Sequence, residues 1–212
     1  MSLLLQRPGP PGPLPNLAGR EKLVDEGKPE LCVVKGVMFA GRQKFLTDQF
    51  GAVELQKVLA NLSPKTLKYA TTPLAGSWCE FASLVEYDRA IHEHFKDRWP
   101  HILALVGAAS AEHGIGTVYR VLDNKELTKF LAAIAAFHEQ YQKYGKVVFT
   151  KTATGAQMTY TDYLCYSPVF CSSAVGFFLE AVLRHGGREP KVVETKCHCR
   201  GDSMCLYDLQ WS

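Results

Sequence analysis

No run of apolar residues in this chain approaches the ~20 needed to cross a bilayer; even the segment from Ile102 to Ala111 is short and rich in small residues. Charge bias is missing too. Basic residues number 24 against 21 acidic ones, a net charge of +3 spread along the sequence, so there is no basic stripe to meet nucleic acid. No nucleophile elbow, His-Glu-x-x-His helix or phosphate-cradling glycine loop occurs, and no internal repeat is evident. The opening Met1-Ser2-Leu3-Leu4-Leu5 runs at once into Pro8, Pro10, Pro11, Pro13 and Pro15. That is too early for the ~7–15 apolar residues of a secretory signal. A soluble, cytoplasmic protein is expected, its seven cysteines serving as free thiols or metal ligands rather than disulfides.

What is present is enough for one core: 47% of the 212 residues are hydrophobic. Residues 1–29 hold most of the proline and too little apolar area to offset chain entropy, so a disordered tail is expected there and a single globular domain over 30–212. Leu31 to Phe39 has the β-branched pattern of a strand. Helical spacing then covers Gly41 to Phe50, with a stop at Gly51, and Ala52 to Leu62, ended by Ser63-Pro64. Further helices are expected from Trp78 to His94, from Trp99 to His113, and from Lys125 to Tyr144 behind the caps Asp123 and Asn124. The period then changes. Lys146 to Thr150 and Gln157 to Thr161 form a hairpin pattern, Ser167-Pro168 opens a helix running to His185, and strands at Lys191–Lys196 and Met204–Trp211 close the chain. The fold class is α+β, a helix-rich first two-thirds packed with a C-terminal antiparallel sheet.

Cys197, Cys199 and Cys205 lie within nine positions around a glycine turn, which suits a soft divalent metal. A three-residue turn at Arg200-Gly201-Asp202 sets Cys197 opposite Cys205, with Cβ atoms ~5 Å apart. Cys171, in the first turn of its helix, is a third donor favoured as thiolate by exposed backbone N–H groups. Two residues compete for the fourth place. Cys199 shares strand parity with Cys197, whereas Glu194 needs a bulge or a twist to join.

The arrangement Glu194-x-x-Cys197, with Cys205 inside Gly201-Asp202-x-x-Cys205, resembles the C-terminal signature of the 4-vinyl reductase domain. That domain shares its fold with Bet3-type trafficking subunits and haem-dependent nitric-oxide sensor domains. The resemblance implies a structural zinc held by Cys171, Glu194, Cys197 and Cys205, with Cys199 a spare thiol. Val34 to Phe39, Phe50-Gly51, Ser77-Trp78 and the cysteine-containing tail also resemble a paralogous family of myxobacterial proteins of about this length, over Cys32 to Trp211.

Phe149, Tyr160, Phe177 and Phe178 belong to an aromatic set around the zinc-bearing part of the fold. Sensors of the type resembled hold an aromatic effector in a mostly apolar cavity there, so these four are candidate ligand contacts, with a packed core as the alternative. Three functions follow. One is a non-catalytic regulatory domain that binds a small apolar or aromatic ligand and acts through a protein partner or as a homodimer. Another is a Bet3-like adaptor with a filled core. A haem sensor is a third, with His138 as an axial ligand, although the Tyr-x-Ser-x-Arg motif that haem sensors use for the propionates is missing. A zinc hydrolase is disfavoured because four protein ligands close the metal. His92 and His94 are expected to face solvent, and His113 and His185 to cap helix ends.

Overall fold

The computed structural model describes residues 32–117, 120 and 126–212. The expected tail at 1–29 and the caps Asp123 and Asn124 lie outside the described residues. In chain order the elements are β1 (Val33–Lys35), α1 (Val37–Leu59), α2 (Pro64–Thr71), β2 (Trp78–Glu80), α3 (Phe81–Phe95), α4 (Ile102–Gly116), α5 (Leu127–Phe137), β3 (Lys146–Lys151), β4 (Gly155–Thr161), α6 (Pro168–Arg184), β5 (Lys191–Lys196) and β6 (Cys205–Gln210). The C-terminal sheet is antiparallel in the order β3-β4-β6-β5, and β1 pairs antiparallel with β2. An α+β architecture is therefore observed.

Several boundaries depart from expectation for identifiable reasons. Gly51 has φ 81° and ψ 170°, so α1 is two helical pieces meeting at a residue that only glycine accommodates easily. Ser63-Pro64 begins a helix instead of ending one: the Ser63 side chain accepts from the Thr66 N–H, and proline sits where no N–H is needed. Trp78–Glu80 is a strand paired with β1 and not the start of a helix. The helix expected to reach Tyr144 stops at Phe137 and tightens into a 3-10 turn over His138–Gln140. That turn aims His138 inward, leaving it 9% exposed.

Two cores form. One lies among α1, α3 and α4, around Phe39, Leu46, Tyr87, Ile91 and Phe95. The other lies between α5, α6 and the sheet, around Phe130, Met158, Phe178, Tyr207 and Leu209. Helices α4 and α6 join the two at very short range. A β-carbon on Gly107 would overlap the Ser173 carbonyl, and one on Gly176 would overlap the Ala104 carbonyl. Neither neighbour is a flexible side chain, so the helices themselves would have to separate.

Gly107→Ala should therefore cost about 3 kcal/mol, the upper range for overpacking. Thermal unfolding should shift down by roughly 6–12 °C for a chain of this size. Gly76→Ala, where an added β-carbon meets nothing within 4 Å, should change stability by less than about 0.5 kcal/mol.

Candidate functional site

The four residues drawn from the knuckle come together. One donor atom from each of Cys171, Glu194, Cys197 and Cys205 lies within 4.8 Å of every other. The sequence could not place Glu194 by strand parity, and the backbone resolves the difficulty. The β5–β6 ladder shifts register between Glu194 and Lys196, which supplies the bulge that turns Glu194 towards the cysteines. Beyond it Lys196 pairs with Leu206, the register of a turn at Arg200–Asp202, and this brings Cys197 level with Cys205. The connection is a 3-10 turn over His198–Arg200, closed by Gly201 at φ 99°. The Asp202 carboxylate accepts the Cys197 N–H at 2.7 Å and fixes the knuckle from behind.

The donor set is of a kind that suits a soft cation. Cys171 and Cys205 Sγ stand 3.8 Å apart, and two sulfurs each ~2.3 Å from one tetrahedral ion would be ~3.8 Å apart. Glu194 Oε2 accepts from Arg200 Nη1 at 3.0 Å, while buried Oε1 has no hydrogen-bond partner. Burial pushes the Glu194 carboxyl up to about 8, and the neighbouring Cys197 adds to the rise. Hydrogen bonding between Cys171 and Cys197 raises the first and lowers the second. Three thiols and a carboxyl share one guanidinium, so only a further cation would let all four ionise together. The His198 N–H already points at Cys205 Sγ, 3.4 Å away. Cys199 is half-buried beside the quartet but is not one of the four clustered donors.

The expectation of free thiols fails at one pair. Cys32, just before β1, and Cys165, between β4 and α6, form a disulfide across 133 positions. Spacing gave no hint of it, because the two cysteines meet only through the packing of β1 against the loop.

A cavity of about 110 Å³, measured as space reachable by the centre of a water molecule, lies between the two cores. It is walled by α1 (Val37, Met38, Arg42), α4 (Gly107, Ser110, His113), the α5 end (Ile134, His138, Tyr141, Gln142), Tyr160 of β4, and Phe170, Ser173, Ala174 and Phe177 of α6. Of the four aromatic candidates, Tyr160 and Phe177 line it. Phe178 is fully buried in the adjoining core and Phe149 packs against that core, so neither lines the cavity. Several polar groups of the wall are already paired. Arg42 is 1% exposed and gripped in bidentate fashion by buried Asp88, at 2.6 and 2.8 Å. Ser110 donates to the Val106 carbonyl and Ser173 to the Phe170 carbonyl. His138 Nε2 lies 3.2 Å from the Tyr144 carbonyl and 2.9 Å from Tyr163 Oη. Because a carbonyl only accepts, Nε2 carries the proton. Arg42 and Asp88 were not singled out in the sequence; a lone Arg on an apolar helix face was the available signal. Among the other histidines, His185 caps α6 by facing the Ala181 carbonyl. His94 is half-buried and pairs with Glu54 at 2.6 Å, so it does not simply face solvent.

An H-NOX protein from S. oneidensis in the Fe(II)NO ligation state superposes with a TM-score of 0.65 at 12% identity, covering 84% of this chain and 99% of that one. The fold is that of the H-NOX domains. Fe(II) unliganded H-NOX from K. algicida gives 0.63 at 13% identity over 84% and 96% of the chains. An oxygen-binding H-NOX domain related to soluble guanylate cyclases gives 0.63 at 14% over 84% and 95%. No protein-family model and no curated protein matches the sequence.

Burial lowers the pKa of His138 from its ordinary value, against a partial rise from the Tyr144 carbonyl. A base whose folded pKa is depressed binds fewer protons folded than unfolded. Its contribution to stability is therefore complete above the unfolded value, ~6.5, and lost as pH falls below it. Thermal midpoints should drop more steeply between pH 7 and 5 in the wild type than in His138→Gln.

Proposed function

We propose that this chain is a non-catalytic sensor domain that holds a small, neutral, mostly apolar molecule in the cavity between its two cores, beside a structural zinc. The observation that carries the reading is the cavity itself. It lies between the two cores, its buried arginine is neutralised by Asp88, and its two serine hydroxyls are spent on helix carbonyls. A charged ligand would meet no free counter-charge there, whereas an apolar ring would lose little. Gln142 Oε1, buried without a hydrogen-bond partner, offers one acceptor to a ligand that carries a donor. A filled-core adaptor is the alternative reading, since about 110 Å³ is smaller than the ~300–1,000 Å³ of most ligand pockets.

Haem is the second reading, and the fold comparison favours it. The side chains do not fit it well. His138 lines the cavity, but its Nε2 proton is spent on Tyr144 and Tyr163. Haem propionates need free cations, and the arginine that reaches the cavity is bound to Asp88. The zinc reading rests on three thiols and a carboxylate in one cluster, four donors that close a tetrahedral ion and leave no position for chemistry. A cytoplasmic location and homodimerisation belong to the same proposal; no described helix is long and apolar enough to cross a membrane.

Protein purified without added metal should contain one zinc per chain by elemental analysis. Cys205→Ser should lose it and Cys199→Ser should keep it; one equivalent retained in Cys205→Ser would refute the assignment. Native mass spectrometry should find a small co-purifying ligand that Ala174→Phe abolishes while zinc stays bound. A Soret band after expression with a haem precursor, lost in His138→Ala, would replace the neutral-ligand reading with haem.

A further inference from the structure

The segment between β4 and α6, residues 162–167, touches more of the interior than its length suggests. Tyr163 Oη lies 2.9 Å from His138 Nε2 in the cavity wall. Its ring packs over Gly145, where a side chain would overlap it, and meets Tyr144 edge-on at 4.9 Å. Tyr166 stacks on His198 of the metal knuckle at 4.1 Å. Between these two tyrosines stands Cys165, bonded to Cys32 at the edge of β1. One covalent bond thus joins the segment that carries both aromatic contacts to the first strand of the helical half.

The two cysteines are not equally buried. Cys32 is 1% exposed, whereas Cys165 is half-buried beside Leu164, which is 43% exposed. We propose that Cys165 is a site of thiol–disulfide exchange with a dithiol reductant. In the oxidised protein the Cys32–Cys165 bond ties the 162–167 segment, and through Tyr163 the cavity imidazole His138, to β1. A thiolate of the reductant attacks Cys165 Sγ, on the less buried of the two cysteines, and Cys32 leaves as a thiolate. The reductant's second thiol then displaces Cys165 from the mixed disulfide. The dithiol is oxidised by two electrons to its own disulfide, and its two protons end on Cys32 and Cys165. Cys79 does not compete internally: it is 3% exposed and burial raises its pKa, so it stays a thiol.

The exchange does not depend on what fills the cavity or on the metal, so its test stands apart from the ligand and zinc assays. The full chain is alkylated in denaturant before and after equilibration with dithiothreitol, followed by peptide mapping. Five cysteines should react before and all seven after, the gain falling on Cys32 and Cys165. Reduction should speed amide exchange in peptides over 160–170 by about tenfold or more. Peptides of β5 and β6 should change little. Closing so long a loop also predicts a thermal midpoint lower by ~10 °C in the reduced protein. Cys165→Ser should show the same exchange without reductant; if that variant does not fold, titration of the wild type with dithiothreitol decides alone. Seven reactive cysteines before reduction, a Cys32–Cys79 bond in the map, or unchanged exchange over 160–170 after reduction would each overturn the proposal.

Discussion

The crossing of α4 over α6 is the constraint on which the rest of the molecule depends. Gly107 against the Ser173 carbonyl and Gly176 against the Ala104 carbonyl leave no room for a side chain between the two backbones. That approach fixes α6 by its middle and so fixes both ends of its working face. Phe177, Ala174 and Ser173 form a wall of the cavity, and Cys171, one turn earlier, reaches the sheet. A larger residue at either glycine would push the cavity wall and the Cys171 donor away from their partners together.

Two buried groups of charge show how the interior handles electrostatics. Arg42 and Asp88 compensate each other through two hydrogen bonds, and removing one partner alone would strand the other at a cost of several kcal/mol. Cys171, Glu194, Cys197 and Cys205 have no such internal balance, because Arg200 supplies one positive charge to four acids. The first group is complete within the protein, and its consequence is a neutral cavity. The second becomes electrically reasonable once a divalent ion is counted.

Much of the helix and strand order was legible because it rests on local chemistry: period-3.6 and period-2 patterns, Gly51 as a break, and Ser167-Pro168 as a start. The same Ser-Pro dipeptide at 63–64 shows the limit. Nothing within four residues says whether it ends one helix or begins the next, and only the eight-residue α2 after it decides. Three of the candidate metal donors, Cys171, Cys197 and Cys205, stood out in the sequence itself, whereas strand parity favoured Cys199 for the fourth place. Glu194 joins through a one-residue register shift, a property of the ladder as a whole. The Arg42–Asp88 pair and the Cys32–Cys165 bond were illegible for a plainer reason. Their partners are 46 and 133 positions apart, and a single sequence carries no trace of which distant residues meet.

The cavity and the metal donors share walls. Tyr160 lines the cavity and lies directly across the β4–β6 ladder from Cys205. Phe170 lines it too and is the chain neighbour of Cys171. A molecule that displaces either ring therefore acts on an element holding a donor, one through the sheet and one through the first turn of α6. Linkage makes such an effect reciprocal: whatever binding does to the donors, ordering the donors does to binding. A metal that only holds the hairpin to α6 would then still set the shape of the cavity, because the same two rings are packed between them.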